Sequence, residues 1–362
     1  MTIDADLLAR PFETARDVRE ARLLAGLDAL TRHHRDRCPP YRALLDAMFP
    51  ASAAAPSTAV ADVPFVPVRL FKQMRLSSID DADVFKVLTS SGTTGQAPSR
   101  IVLDREAATL QTRALVATAR SFVGPTRLPM VIVDSPTVIR DRASYGARGA
   151  GVVGFSTLGR DHLYLLDEEM RADWDALDRF LERHAGTPVL LFGFTFLVWQ
   201  RLYQQAVADG RRIDLARGIL IHGGGWKRLV DEAVSSDDFK RRLRDTFGLT
   251  RVHNYYGMIE QIGSVFIECE QGALHIPAFA DALVRDPLTL RPLAVGEPGA
   301  LQVLSLLPRS YPGHSVLTED VGRDLGDDPC PCGRLGRRIA VEGRFPQAEL
   351  RGCSDAATAR RA

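Results

Sequence analysis

Five short apolar segments between residues 84 and 255 alternate with segments that have the periodicity of helices. Strands that alternate with helices predict a mostly parallel, doubly wound sheet, so we expect an α/β fold. The chain has 362 residues, which is enough for one large domain or two. The predicted strands are 84–89, 129–134, 188–193, 217–222 and 251–255, and the predicted helices are about 104–122, 170–184, 195–208 and 229–247.

Different patterns flank this α/β segment. Helical periodicity over residues 13–36 ends at Cys38-Pro39-Pro40, which a helix cannot cross. After residue 260, short strand-like pieces separated by Gly and Pro predict a smaller β-rich subdomain. We therefore predict an N-terminal helical segment packed on the core, an α/β core, a β-rich subdomain and a C-terminal tail, with the bounds 1–62, 63–258, 259–345 and 346–362.

Charge and composition argue against several classes of protein. The chain has 46 Lys and Arg against 45 Asp and Glu, so there is no electrostatic case for nucleic-acid binding. No apolar run reaches the roughly 20 residues of a membrane span, and the acidic start of the chain does not resemble a secretory signal. Five irregularly spaced Cys favour a reducing compartment over a disulfide framework. We expect a cytoplasmic protein.

A hydroxyl- and glycine-rich loop carries the strongest functional signal. Thr89-Ser90-Ser91-Gly92-Thr93-Thr94-Gly95 offers O–H and backbone N–H donors that can approach an anion closely. The loop follows an apolar strand and precedes a helix that is expected from Asp104, which is a common setting for a phosphate site. Its spacing differs from that of the G-x-x-x-x-G-K-[ST] phosphate loop. A surface turn is the alternative.

Two further segments fit a nucleotide site. His222-Gly223-Gly224-Gly225-Trp226-Lys227 follows an apolar strand, where open α/β sheets bind ligands, although a tight strand-to-helix turn is equally plausible. Asn254-Tyr255-Tyr256-Gly257-Met258-Ile259-Glu260 ends a strand with two aromatic residues and then offers a carboxylate. An aromatic ring can stack on a purine, and Glu260 can hold a hard cation such as Mg²⁺. Ordinary packing beside a surface acid is the alternative.

One acidic loop completes the set. Thr318-Glu319-Asp320-Val321-Gly322-Arg323 places Asp320 where a carboxylate can accept both hydroxyls of a ribose. Taken alone, this segment is more typical of an Asx-type turn. Its position in the chain makes it more informative, because it follows the hydroxyl-glycine loop and the Tyr-Gly-x-x-Glu segment and precedes Gly343-Arg344.

This order and spacing resemble the adenylate-forming superfamily, which includes acyl-CoA synthetases, luciferases and peptide-synthetase adenylation domains. Within it, the chain is most similar to LuxE-type acyl-protein synthetases, from about residue 16 to 354. Cys330-Pro331-Cys332-Gly333-Arg334 is also similar to phenylacetate-CoA ligases. The other segments that carry the LuxE resemblance are Cys38-Pro39-Pro40-Tyr41-Arg42, Phe192-Gly193-Phe194-Thr195, His222–Lys227, Tyr256–Gln261 and Glu349-Leu350-Arg351-Gly352-Cys353-Ser354.

The resemblance implies the fold of the N-terminal domain of these enzymes and a two-step reaction. A carboxylate attacks the α-phosphate of ATP to give acyl-AMP and pyrophosphate, and a thiol then takes the acyl group. By resemblance, the hydroxyl-glycine loop would hold the β- and γ-phosphates, Glu260 would hold Mg²⁺, and Asp320, in the β-rich subdomain, would bind the ribose. The residues that would line the adenine are Gly223, Gly224, Gly225, Tyr255 or Tyr256, Gly257 and Met258.

The chain departs from the superfamily in its cationic residues. Most members continue beyond the Gly-Arg pair into a mobile lid that carries a catalytic Lys, whereas no Lys follows Lys240 here. Its only other lysines are Lys72, Lys86 and Lys227. We therefore expect Arg100 or Lys227 to assist phosphate chemistry, although Arg is a planar donor and a poor replacement for a compact ammonium group.

The acyl acceptor and the acid remain open from the sequence. By resemblance Cys353 would be acylated, and Arg351 beside it would favour the reactive thiolate; a buried structural Cys is equally plausible. The final acceptor could be a partner protein, such as a reductase or carrier protein, or coenzyme A. A non-catalytic nucleotide- or acyl-binding subunit is the alternative from another class. Phe194, Trp199, His222 and Trp226 predict an apolar, aromatic pocket that suits a fatty or an aryl acid.

Cys330 and Cys332 raise the question of a metal site. Two Cys without a nearby second pair are too few ligands for zinc, although Cys269 or Cys353 could add another. The sequence alone favours a loop turn.

Overall fold

The computed structural model describes residues 5–50, 55–90, 98–139, 146–226 and 233–345. The chain divides into two compact units: a first unit from residues 1–118 together with 257–362, and a second unit from residues 119–256. The four-segment division predicted from the sequence is a different partition and stays a prediction. Among the described residues, no helix combines the length and hydrophobicity that a membrane span requires.

Helices and strands alternate along most of the chain. The helices are α1 (Ala5–Ala9), α2 (Arg16–Arg37), α3 (Pro39–Met48), α4 (Leu70–Gln73), α5 (Arg105–Val123), α6 (Ala147–Ser156), α7 (Trp174–Arg183), α8 (Thr195–Leu197), α9 (Gln205–Ala208) and α10 (Ser236–Phe247), with a π-helix at Val198–Gln204. The strands are β1 (Val66–Pro67), β2 (Lys86–Thr89), β3 (Arg100–Leu103), β4 (Leu128–Ile132), β5 (Gly159–Tyr164), β6 (Leu190–Phe194), β7 (Ile219–Gly223), β8 (Arg251–Tyr256), β9 (Phe266–Glu268), β10 (Leu274–His275), β11 (Ala280–Arg285), β12 (Pro298–Ser305), β13 (Ser315–Asp324) and β14 (Arg338–Arg344).

The second unit contains a parallel sheet in the order β8-β7-β6-β4-β5. Every residue of β4, β6 and β7 is buried, as expected for parallel strands that are covered on both faces. This arrangement confirms the predicted α/β fold with a mostly parallel sheet. β5 and α6 are additions to the sequence prediction, because β5 is polar and α6 is rich in glycine.

The first unit contains antiparallel strands in the order β11-β12-β13-β14-β10-β9, with β1 parallel to β13. This sheet is the predicted β-rich region, and β13 and β14 extend it beyond the predicted pieces. A separate hairpin pairs β2 with β3. The predicted order of strand, loop and helix is therefore wrong, since β3 lies between the hydroxyl-glycine loop and α5.

Helix α2 ends where the sequence predicts, whereas α1 and α3 are additions to the sequence prediction. α2 ends at Arg37, where the backbone N–H of Cys38 donates to the carbonyl of His34 at 2.8 Å. Pro39 and Pro40 then occupy the first turn of α3, where a missing N–H costs no helical hydrogen bond. The two prolines therefore separate two helices.

A buried ion-pair network holds the antiparallel sheet to the loop before β14. The Arg337 guanidinium donates to Asp281 at 2.8 Å and also donates to Asp324. Both carboxylates are buried, with side chains 2% and 9% exposed. Loss of the guanidinium would leave two buried charges without their shared partner.

We expect Arg337→Met to lower the free energy of unfolding by about 3–5 kcal/mol, because breaking a buried ion pair leaves an uncompensated charge. Urea denaturation measures the change. The matched control is Arg241→Met, which removes an exposed partner of Asp238 and should change stability little. Equal effects of the two substitutions would contradict a structural role for the Arg337 network.

Candidate functional site

The base of the hydroxyl-glycine loop is closed by two serines of the first unit. The backbone N–H of Ser90 donates to the carbonyl of Ser99 at 3.1 Å, and the N–H of Ser99 donates to Oγ of Ser90 at 2.8 Å. Both serines are buried, and Thr89 pairs with Arg100 at the adjacent position of the hairpin. Ser91, Gly92, Thr93, Thr94 and Gly95 lie outside the described residues.

Glu260 is a buried carboxylate beside this loop base. It lies in a short 3₁₀ turn, Ile259–Gln261. The side-chain amide of Gln261 anchors this turn by donating to the carbonyls of Val303 at 2.9 Å and Gly313 at 2.8 Å. Burial raises the pKa of Glu260, while the Ser99 hydroxyl and the charges of Lys72 and Arg344 favour its ionised form. A carboxylate in this setting is suited to a hard cation.

Asp320 is connected to the same group of charges. It lies opposite Arg344 in the β13–β14 register, and Nε of Arg344 donates to its Oδ1 at 3.0 Å. Arg344 thus pairs with Asp320, and its charge also favours the ionised form of Glu260. Three of the predicted motifs therefore come together within the first unit.

Lys72 is a positive charge that acts on Glu260 and that no sequence motif marks. It lies on α4, and its positive charge favours the ionised form of Glu260. The rarity of Lys in an Arg-rich chain was the only available signal. Arg100, one predicted cation, is exposed at the start of β3, and Lys227, the other, lies outside the described residues.

The ends of three parallel strands bring glycine and aromatic residues together in the second unit. Phe194, Gly223 and Tyr255 are register partners on β6, β7 and β8. A Cβ on Gly223 would lie 2.6 Å from Cδ1 of Tyr255, so only glycine fits beneath this ring. The Tyr255 ring also packs on Phe155 of α6 with centroids 4.8 Å apart, and burial raises its pKa.

His222 faces the opposite side of this sheet. Its Nδ1 lies 2.9 Å from Oγ1 of Thr195, and its ring lies 4.7 Å from that of Phe239 on α10. Burial, aided by Lys240, lowers the pKa of His222 to about 3, so the imidazole is neutral at physiological pH.

The four residues of the predicted aromatic pocket lie on both faces of the second unit's sheet. Trp199 and Trp226 have ring centroids 5.3 Å apart, and both pack on Phe239, on the side of His222. Phe194 instead packs toward α6, where a Cβ on Gly151 would lie 3.2 Å from its Cζ. Phe194 thus faces the other side of the sheet from His222, Trp199 and Trp226, and the prediction that these four residues line one pocket stays a prediction.

The remaining predicted residues are distributed as follows. Gly224 and Gly225 follow β7, Tyr256 is the last residue of β8, and Gly257 and Met258 follow it; all five belong to the described residues. Cys353 lies outside them. The prediction that all these stretches surround one nucleotide stays a prediction.

Comparisons with known proteins agree with the fold. A family model described as "Acyl-protein synthetase, LuxE" matches residues 1–360. A long-chain-fatty-acid–luciferin-component ligase from Aliivibrio fischeri is 26% identical over 312 residues, covering 81% of this chain and 77% of the relative. The ligase of the same name from Vibrio harveyi is 26% identical over 310 residues, covering 81% and 76%. The solved structure of 2-hydroxyisobutyryl-CoA ligase in complex with 2-HIB-AMP and CoA is similar with a TM-score of 0.68 and 17% identity, covering 92% and 76%.

The raised pKa of Glu260 predicts how stability depends on pH. The folded chain holds this proton to a higher pH than the unfolded chain, whose carboxyl has the ordinary value of 4.5. Stability should therefore fall as the pH rises from 4.5 through the folded pKa. Glu260→Gln removes this loss, so the variant should have a higher melting temperature than the native chain near pH 8 and a flatter profile below it.

Melting temperatures from about pH 5 to pH 8 test this expectation. Glu106→Gln controls for the loss of a single acid, since that side chain is 74% exposed. A Glu260→Gln variant that is less stable than the native chain near pH 8 would show that the carboxylate is fully compensated.

Proposed function

The chain belongs to the LuxE family of acyl-protein synthetases, and on this premise we propose that it activates a long-chain fatty acid with Mg²⁺-ATP and transfers the acyl group to a thiol. The protein is an acyl-adenylate-forming ligase. The names of the curated relatives support the choice of a long-chain acid. The neighbourhood of Glu260 is the observation that carries the proposed nucleotide chemistry.

In the first step, a carboxylate oxygen of the acid attacks the α-phosphorus of ATP. The new O–P bond gives acyl-AMP, and the bond to the β-phosphate breaks to release pyrophosphate. Negative charge develops on the departing phosphates, so catalysis needs donors and cations at fixed positions. The hydroxyl-glycine loop would supply donors from Thr89, Ser90, Ser91, Gly92, Thr93, Thr94 and Gly95.

Glu260 is the residue proposed to hold Mg²⁺. Magnesium is commonly bound by one or two carboxylates together with substrate phosphates, and a buried acid at the base of a phosphate-type loop fits that pattern. When bound, Mg²⁺ would neutralise charge on the phosphate oxygens. The charges of Lys72 and Arg344 favour the ionised form of Glu260 but do not outweigh the burial that raises its pKa, and a bound Mg²⁺ would favour the carboxylate further.

Tyr256 is the proposed adenine-stacking residue. Side chains alternate along β8, and Tyr255 packs inward on Phe155, so Tyr256 belongs to the other face. Gly224, Gly225, Gly257 and Met258 would line the base, whereas the Tyr255 ring fills the space in front of Gly223. Asp320, held by Arg344 at 3.0 Å, would accept hydrogen bonds from the ribose hydroxyls.

In the second step, a thiolate attacks the acyl carbonyl. A C–S bond forms, the bond between the acyl carbon and the phosphate oxygen breaks, and AMP leaves; the thiol proton is released to solvent. We propose Cys353 as this thiol, with a partner protein as the final acceptor. Arg351 is two residues away and would favour the thiolate.

Lys72 is proposed as the cation that assists the first step in this chain. Lys72→Met should reduce acid-dependent ATP–pyrophosphate exchange by about 10–100-fold, because it removes a compact charge that acts on Glu260. Lys72→Arg should restore part of the rate. Lys86→Met on β2 is the matched control and should retain exchange. Full exchange in Lys72→Met would assign the cationic role to Arg100 or Lys227.

The two half-reactions can be tested separately. With a panel of long-chain and aryl acids, the native chain should catalyse ATP–pyrophosphate exchange best with long-chain acids. Glu260→Ala should lose at least about 100-fold of this exchange. Cys353→Ser should retain exchange but no longer form the acyl-protein, as measured by intact mass.

Two results would contradict the proposal. Release of acyl-CoA from an unmodified protein would identify an acyl-CoA ligase. Exchange that survives in Glu260→Ala would remove Glu260 from the metal site.

A further inference from the structure

Four side chains of the first unit gather at a point that the proposed chemistry does not use. The ligand atoms of Cys269, His275, Cys330 and Cys332 all lie within 4.8 Å of one another. Cys269 follows β9, His275 ends β10, and the other two lie in the connection from β13 to β14. The sequence-based conclusion that Cys330 and Cys332 have too few co-ligands is therefore wrong, because the fold supplies Cys269 and His275.

We infer that this cluster is a structural zinc site with three Cys ligands and one His ligand. Sγ of Cys269 lies 3.9 Å from Sγ of Cys330, and Sγ of Cys332 lies 3.3 Å from Nε2 of His275. A tetrahedral Zn²⁺ with Zn–S bonds of about 2.3 Å has ligand–ligand edges of about 3.8 Å. The two separations thus lie near those of a metal-centred tetrahedron.

Two turns of the same type present the sulfurs. In Cys269-Glu270-Gln271-Gly272 and in Cys330-Pro331-Cys332-Gly333, the glycine N–H donates to the carbonyl of the first Cys, at 3.0 Å and 2.9 Å. Both glycines have a positive φ, 77° and 81°, which side chains rarely adopt. The N–H of Gln271 also donates to Sγ of Cys269 at 3.4 Å, which helps to fix the position of this sulfur.

The chemistry of the cluster favours zinc over other occupants. Thiolate and imidazole ligands are typical of Zn²⁺, whereas Mg²⁺ and Ca²⁺ require oxygen ligands. Four protein ligands leave no open position, which is typical of a structural and not a catalytic site. A Cys269–Cys330 disulfide would need an S–S distance of about 2.05 Å and would leave Cys332 and His275 unexplained.

Zinc at this position would cross-link two parts of the first unit. It would join the β9–β10 hairpin to the connection between β13 and β14. Strand β13 carries Asp320, and strand β14 carries Arg344. The metal would therefore stabilise the strands that hold the proposed ribose-binding pair, without taking part in the reaction.

The first test uses the native full-length chain, purified without a metal-affinity step. Elemental analysis should find about one zinc per chain. Titration of the thiols with a mercurial should release this zinc to a colorimetric chelator. Growth with cobalt should give a protein whose visible spectrum has the thiolate charge-transfer and d–d bands of a tetrahedral site. Zinc at background level together with absent cobalt bands would overturn the inference.

Matched variants test the ligand set. Cys330→Ser and His275→Ala should each lose most of the zinc and lower the melting temperature, whereas Cys38→Ala, which removes another buried thiol of the first unit, should retain the zinc. Should a variant fail to fold, the mercurial titration of the native chain still decides the question. A Cys269–Cys330 disulfide found by mass mapping of alkylated, unreduced protein would also overturn the inference. None of these readouts depends on ATP–pyrophosphate exchange.

Discussion

Burying an ionised carboxylate costs free energy unless nearby donors and cations replace the water that it loses. Glu260 is only 4% exposed, and burial raises its pKa, while Ser99, Lys72 and Arg344 favour the ionised form without outweighing that burial. These groups come from three separate segments of the chain. The electrostatic environment of this carboxylate therefore depends on three elements: α4, which carries Lys72, the β2–β3 hairpin, which holds Ser99, and the end of β14, which carries Arg344. A fold selected only for stability would have little reason to retain it.

The second unit meets a different constraint. Its central strands β4, β6 and β7 are buried on both faces, so polar chemistry can occur only where the strands end. There, the absence of a side chain at Gly223 lets the Tyr255 ring lie across β7. On the opposite face, His222 is neutral and hydrogen-bonded to Thr195, which is the pattern of a positioning histidine more than of an acid or base.

Sequence reasoning recovered those features whose signal is local. The sequence predicted four strands close to their observed bounds from apolar runs, namely β4, β6, β7 and β8. The two prolines correctly predicted the end of α2. The hairpin partner β3 was missed, since four residues beside a glycine-rich loop do not establish a period. The sequence also did not predict that Phe194 and Trp199 lie on opposite faces of the sheet. Strand β6 ends at Phe194 and the chain then changes direction, so strand periodicity does not extend to Trp199. Lys72 belongs to no motif, and only the folded chain brings it to Glu260.

The Cys269, His275, Cys330 and Cys332 cluster is a second case in which the fold brings together residues that are distant in the sequence. Cys269 and Cys330 are 61 positions apart, and His275 and Cys332 are 57 apart, so neither pair has the short spacing by which zinc sites are recognised. The local traces of the site were the close spacing of Cys330 and Cys332 and the repeated Cys-x-x-Gly turn. Antiparallel pairing of β9 with β10 and of β10 with β14 turns these distant residues into neighbours. The strand that receives this cross-link, β14, also ends at Arg344. A metal bound at one end of β14 and a guanidinium shared by two acids at the other would thus fix the same strand, and the proposed nucleotide chemistry depends on that strand keeping its register.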